Sequence, residues 1–333
     1  RQLADLLGGG LSMLHALTLL AQQTEHRILR DVIVDLEAFV RDGHAFSEAL
    51  SRYPEVFSPL YVSMVRAGEA VGNVEAVLGR LAELAENESE LKSRARSALL
   101  YPFVVLGLGL LAVIFLLTYV VPKLTALFAE TDQLLPLPTR ILLATSHAAI
   151  QWWWLWIVGI ASLGWGFQQL RVSGRSAAAM DRVLLELPLV GALVRKLETS
   201  RLARNLGVMI GQGVPMLQAL EVAAATVSNR FLHRTVGGLR EAVQKGMSLS
   251  QALSASGQFP AFISNMVAVG EEAGTLDTAL VKVAASYERD VELLLRQLTT
   301  LLEPLLIVMV GMVVMFIVIA ILLPILQLEM IVQ

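Results

Sequence analysis

At 333 residues, 55% of them hydrophobic and with a mean hydropathy of +0.63, the chain is too apolar for an ordinary soluble protein. At 17% charged residues it is also too polar for a pure membrane bundle. A net charge of -3 leaves no global basic field, so no nucleic acid is expected as a partner, and the lack of cysteine excludes disulfides, thiolate nucleophiles and cysteine-based zinc sites.

The class that remains is soluble helical blocks tethered to a few membrane spans. The chain opens on Arg1 inside a helical pattern, so a segment ahead of it is expected. Leu3, Leu6, Leu7, Met13, Leu14 and Leu17 recur near a 3.6-residue period, with Gly8-Gly9-Gly10 separating a first helix from a second. Another amphipathic helix runs from about Ile28 to Val40 and stops at Asp42-Gly43. Phe46 to Leu50 begins a short turn, and Tyr53-Pro54 and Ser58-Pro59 punctuate the chain before the next helix. Gly68 to Asn73 makes a sharp connection into one long helix that starts at Val74 and runs towards the membrane.

That helix ends in Lys92, Arg94 and Arg96, just before an apolar run from Leu99 to Val121. A basic cluster at this end marks the upstream side as cytoplasmic. A second span is placed between Arg140 and Arg171, at about Ile150 to Gln168, with Trp152, Trp153, Trp154 and Trp156 at its start, where indoles suit a membrane-water interface. Arg171, Arg175 and Arg182 come after it and bring the chain back to the cytoplasm. From Pro304 to Leu326 no side chain is charged; at about 1.5 Å per residue this run covers the roughly 30 Å apolar core of a bilayer.

An internal repeat organises all of this. Arg204, Leu206, Gly211, Gly213, Met216, Leu217 and Leu220 each lie 203 positions after Arg1, Leu3, Gly8, Gly10, Met13, Leu14 and Leu17. After a one-residue gap, Gly68, Glu69, Gly72, Glu86, Pro102 and Pro122 find Gly270, Glu271, Gly274, Glu288, Pro304 and Pro324 at an offset of 202. The fold class read from this is an all-α membrane protein: two homologous cytoplasmic helical-bundle domains in tandem with three transmembrane helices. The expected map is a first cytoplasmic domain over 1–98, a span over 99–121, a short periplasmic connection over 122–149 and a span over 150–170. A second cytoplasmic domain over 171–300, a span over 301–326 and a periplasmic tail over 327–333 complete it.

No catalytic constellation emerges, and no enzyme is expected. His15, His26, His44, His147 and His233 have no ligand spacing and none is matched by a histidine in the other copy, so neither a metal nor a cofactor is expected. Gly8-Gly9-Gly10 lacks the Gly-Lys-Ser/Thr of a phosphate loop and reads as a helix break. The serines form no nucleophile elbow. Two candidates stay. The corners Gly68, Glu69, Gly72 and Gly270, Glu271, Gly274 are either tight turns, with a glutamate near the positive end of the next helix, or places where a partner docks. The membrane entrance holds Glu303 and Pro304, whose counterparts are Tyr101 and Pro102; the acid there is a functional group or a solvated interfacial carboxylate. The halves also differ in charge, with 10 basic and 14 acidic residues over 1–98 against 14 and 12 over 171–303.

Arg1-Gln2-Leu3-Ala4, Gly213 to Leu220, both Gly-Glu corners, Leu187 to Gly191 and Glu303-Pro304-Leu305-Leu306 together resemble the inner-membrane platform family of type II secretion and type IV pilus machines. The likeness covers essentially the whole chain, without the family's usual N-terminal region. Leu135 to Arg140 and the tail Ala320 to Leu328 are more similar to the type II secretion member than to the pilus member. What the resemblance implies is a scaffold in a bacterial inner membrane. A cytoplasmic hexameric secretion ATPase, bitopic inner-membrane assembly proteins and pseudopilins are the implied partners, with the lipid bilayer around the spans. The alternative is the platform of a type IV or competence pilus. A homo-oligomer is expected, of an order the spans do not specify, since Gly107, Gly109 and Gly311 build no complete Gly-x-x-x-Gly. A transporter made of repeated halves would need several spans per half and polar groups at the midplane, and each copy here has one span.

Overall fold

Gly10, Gly43 and Gly72 break the first copy of the repeat, and Gly213, Gly246 and Gly274 break the second; all six hold positive φ, the region that favours a residue without Cβ. Apart from short turns, the computed structural model, which describes residues 1–121, 137–152, 154, 158–159, 162, 164, 174–187 and 190–332, is built of helices. The first copy folds as α1 (Gln2–Gly8), α2 (Met13–Gln23), α3 (Arg27–Arg41), α4 (Phe46–Ser51), α5 (Pro59–Val71) and α6 (Val74–Phe115). After α7 (Leu137–Gln151) come α8 (Gly174–Glu186), α9 (Val190–Gly211), α10 (Met216–Thr226), α11 (Arg230–Gln244), α12 (Leu249–Ser256), α13 (Ala261–Ala273) and α14 (Leu276–Val332). The offset of 203 carries α2 onto α10 and α3 onto α11 end to end, and the offset of 202 carries α5 onto α13.

Local chemistry explains the starts. Ser12 caps α2 by accepting from the His15 N–H, Asn229 caps α11 by accepting from Phe231 and Leu232, and Ser248 caps α12 by accepting from Gln251. Pro59 at the first position of α5 loses nothing, because its missing N–H would have had no partner inside the helix.

The chain divides into two compact units, residues 1–92 with 175–293, and residues 93–174 with 294–333. In the first unit, consecutive helices of each copy pack on one another, and α10 also packs against α5. The sequence leads us to expect two homologous helical domains, 1–98 and 171–300. In the structure these helices share one buried cluster, with Leu17, Met64 and Leu81 from the first copy and Leu202, Leu220 and Leu280 from the second. Each buried leucine contributes roughly 1.5–3 kcal/mol by leaving water, so joining two short bundles into one core offsets what either lacks alone.

The second unit gathers the apolar parts of α6 and α14. Both stretches, Val74–Val120 and Leu276–Leu323, are long and apolar enough to cross a membrane. Their most apolar windows are only 6% and 17% buried inside the protein, so the apolar side chains face outwards, as lipid contact requires and a soluble core helix forbids. Pro102 lies within α6 rather than at a helix end, and α6 closes in a π-helical turn over Leu116–Val120. Part of the stretch expected as a connection is α7, which packs here: Leu142 joins Val121, Ile317 and Ala320 in a buried cluster, while the Thr139 hydroxyl donates to Ala320 O (2.6 Å) and the Ser146 hydroxyl to Leu117 O (2.6 Å). Residues 122–136 and most of the Trp-rich span expected over 150–170 lie outside the described residues.

Candidate functional site

The two Gly-Glu corners have the same geometry, and each position in them has a physical task. Gly68 N-terminal to the turn is buried: a Cβ there would stand 2.8 Å from the Val77 side chain, and one on Gly270 would stand 2.7 Å from Ala279 Cβ. Only glycine lets α5 and α13 approach the helices that come after them so closely. Gly72 and Gly274 turn left-handed, and the next N–H groups reach back, Asn73 N to Gly68 O (2.8 Å) and Thr275 N to Gly270 O (2.9 Å). These are Schellman closures, which satisfy carbonyls that a helix end leaves open.

The glutamates act across the fold rather than on the next helix. Glu69 accepts from Phe46 N (2.6 Å) and Ser47 N (3.2 Å), the first turn of α4, instead of facing the start of α6. Glu271 does the same for α12, accepting from Leu249 N (2.7 Å) and Ser250 N (3.2 Å), with the Ser250 hydroxyl added at 2.6 Å. A carboxylate on two unpaired N–H groups neutralises the positive end of a helix too short to have a favourable interior. Corner and short helix are thereby one device. Outward, the corners leave Val71 and Glu272 exposed.

A second repeated device ties the first helix of each copy to the long one. Arg1 and Glu86 meet fork to fork, Nε to Oε1 at 2.8 Å and Nη2 to Oε2 at 2.5 Å. Arg204 and Glu288, at the equivalent positions, form the same bidentate pair, Nε to Oε1 at 2.8 Å with the second contact made by Nη2. The first pair is exposed, while the second has side chains 17% and 20% accessible, so solvent screens it less. Retention of an arginine and a glutamate at matching positions of both copies was the signal for this pair; spacing along one helix could not show it.

At the membrane entrance the structure brings Tyr101 and Glu303 together, the tyrosine hydroxyl donating to Oε1 at 3.0 Å. They are equivalent positions of the two copies, so the two long helices meet at the same point of the repeat. Pro102, the next residue, is buried, and Pro304 is exposed. Farther along, a Cβ on Gly109 would stand 2.8 Å from Val310 Cγ2, which marks a close approach of the two apolar helices.

The described histidines are local. His26 caps α3 at Leu29 N, His15 meets the Ser12 hydroxyl (3.0 Å), His44 stacks on Phe39 and His233 meets Ala224 O (2.7 Å). The His147 side chain lies outside the described residues. One buried acid stands apart: Glu198, 4% exposed, accepts from Ser228 N (3.1 Å) just ahead of α11, and burial pushes its carboxyl up although Arg201 pulls the other way.

Corners and forks recur in both copies of the repeat, and the comparisons with known proteins fall on the same segments. The family model for type II secretion system (T2SS) protein F matches residues 1–122 and 202–324, two segments that end on the equivalent prolines Pro122 and Pro324. The chain belongs to the type II secretion system protein F family. Members of this family with curated names are similar over nearly the full length. Type IV pilus assembly protein PilC of Thermus thermophilus is 38% identical over 325 residues, 97% of this chain and 80% of that protein. Type II secretion system protein F of Aeromonas hydrophila is 36% identical over 331 residues, 99% and 85%, and that of Pseudomonas aeruginosa 37% over 335 residues, 100% and 82%. Secretion and pilus proteins thus stand at equal distance.

Proposed function

We propose that this T2SS protein F family member is a non-enzymatic inner-membrane platform of a type II secretion machine, coupling a cytoplasmic ATPase to the extraction and assembly of pseudopilin subunits. The observation that carries this reading is the pair of long helices, α6 and α14, each entered through a Gly-Glu corner, fastened by an Arg-Glu fork about three turns on and continuing into a stretch apolar and long enough to cross a membrane. A brace of that kind turns force on a helical bundle into movement of a span, because a helix transmits displacement along its axis without a hinge to absorb it. The ATP chemistry belongs to the partner.

The topology that goes with it places residues 1–98 and 171–300 in the cytoplasm, spans at 99–121, 150–170 and 301–326, a short periplasmic connection over 122–149 and a periplasmic tail over 327–333. The basic residues Lys92, Arg94 and Arg96 before the first span, and Arg171, Arg175 and Arg182 after the second, support this orientation. The exposed parts of the corners, Val71 and Glu272, offer the ATPase or bitopic assembly proteins a place to dock; the homo-oligomer brings several such sites together.

The second reading is the platform of a type IV or competence pilus, favoured by the 38% identity to the Thermus thermophilus pilus protein. Deletion of the gene in its host and complementation separates them. Loss of exported protein with pili intact supports secretion, and loss of pili with export intact supports the pilus reading. Retention of both overturns the platform function.

A further inference from the structure

The repeat supplies an internal control for one surface feature. Between α11 and α12 lies an open groove of about 420 Å³, lined among others by Phe231, Gly238, Leu239, Ala242, Met247 and Ala255. The same place in the first copy is filled by the chain itself. There Phe39 stands where Ala242 is, stacked on His44 with ring centroids 4.1 Å apart, and the Arg52 guanidinium covers the ring at 4.9 Å. Asp35, in the place of Gly238, accepts from the Tyr53 hydroxyl (2.7 Å) and pairs with Arg52 (3.5 Å). Directly after the aligned Leu50 and Leu253, Arg52 and Tyr53 give way to Ala255 and Ser256. The second copy has lost the ring, the carboxylate and the guanidinium together. Gly238 confirms the vacancy, because a Cβ added to it would meet nothing within 4 Å.

The rim has changed sign as well. Beside the groove, one helical step from Phe231 and Ala242, stand Arg234 and Lys245, where the first copy has Asp31 and Asp42. Both are exposed, and neither enters an ion pair among the described residues. Glu241 is the one acid in this strip, and α12 contributes no charge. The named rim residues therefore carry a net positive charge where their counterparts in the filled copy carry a negative one.

We infer that this groove is a docking site for an acidic segment of a partner protein that inserts an aromatic side chain, as Phe39 fills the equivalent space in the first copy. The ring takes the apolar floor left by Ala242 and Gly238, and carboxylates beside it meet Arg234 and Lys245. An aromatic anchor in a pocket with charges at its edge is the arrangement in which few residues dominate binding. The site does not depend on whether the platform serves secretion or pilus assembly.

The test uses the full chain in detergent and three fluorescein-labelled helical peptides: one acidic with a single phenylalanine, its alanine version, and a lysine-rich version with the same phenylalanine. The acidic aromatic peptide binds saturably, and removal of its ring or inversion of its charge weakens binding about tenfold or more. Ala242→Phe, which restores the first copy's plug, abolishes binding. Arg234→Asp with Lys245→Asp, both on the surface and away from the core, weakens the acidic peptide about tenfold and improves the basic one. Equal binding of all three peptides, no saturable binding, or binding unchanged in both variants overturns the inference. Self-association of the chain that Ala242→Phe abolishes, without peptide binding, overturns it too and makes a second copy the occupant. Because the readout is peptide binding to the isolated chain, failure here leaves the deletion test of the platform function untouched.

Discussion

Glu69 and Glu271 show how much a single side chain settles in this protein. Each closes the first turn of a short helix that lies more than twenty residues earlier, with two backbone N–H groups on one carboxylate. Loss of a charged acceptor from buried donors costs about 1.5–3 kcal/mol. Glu69→Ala and Glu271→Ala are each expected to cost about 2 kcal/mol, with the larger loss for Glu271 because the Ser250 hydroxyl also loses its partner. Thermal unfolding of the purified chain measures this, and midpoints equal to the native one would refute the capping role. Glu198 gives a pH test of opposite character. Its carboxyl is pushed above the ordinary 4.5 by burial, so the site contributes fully below that value, where the acid is neutral in both states. As pH rises through the raised value, the folded chain must hold a charge that its interior disfavours, and the contribution is lost. Glu198→Gln keeps an acceptor for Ser228 and removes the titration, so its unfolding midpoint should gain on the native chain as pH is raised from about 4 to 8. A gap that is constant with pH would contradict the assignment.

At the scale of elements, the sequence showed where helices break and hid what holds them together. Gly43 and Gly72 with their partners at Gly246 and Gly274 announced the turns, because left-handed backbone is a local demand that only a few residues meet. The partners of Glu69, by contrast, are backbone N–H groups of Phe46 and Ser47, which carry no side-chain signature; the local field of α6 was the nearer inference and the wrong one. Helix α7 is not legible in the sequence for a different reason: its Thr139 and Ser146 hydroxyls hold it on backbone carbonyls of neighbouring helices, partners that carry no side-chain signature. The groove on α11 also needs the structure, since the sequence shows which side chains differ between the copies but not that those of the first copy meet one another. The close approach of α6 and α14 gives the sharpest element-level test. A Cβ at position 109 would stand 3.5 Å from Val310 Cβ, within the separation a disulfide spans, and the chain has no cysteine of its own. Gly109→Cys with Val310→Cys is expected to cross-link on mild oxidation in membranes, seen as a peptide pair after proteolysis. Gly107→Cys with Val310→Cys, at a glycine with nothing within 4 Å, is expected to stay reduced. Equal cross-linking of both pairs, or of neither, would contradict the packing.

For the molecule as a whole, the repeat is the frame from which function derives. Two helical bundles share one core, and each sends out a helix that starts at a Gly-Glu corner and does not stop until it has passed through an apolar stretch. Fork pairs Arg1–Glu86 and Arg204–Glu288 fasten each bundle to its helix about three turns from the start, where a lever needs to be held. Family membership places the chain in secretion or pilus assembly; under the proposed function, its part there is to keep a stiff connection between a partner ATPase and the bilayer. The measurement that tests this most directly inserts a flexible Gly-Ser segment after Ser97 and after Leu298. The control is an Ala-rich helical insertion of about seven residues, close to two turns, at the same places. The account predicts that the flexible insertions abolish export of the machine's cargo while the chain still enters the membrane, and that the helical insertions retain much of it. Export unchanged by the flexible insertions would contradict it.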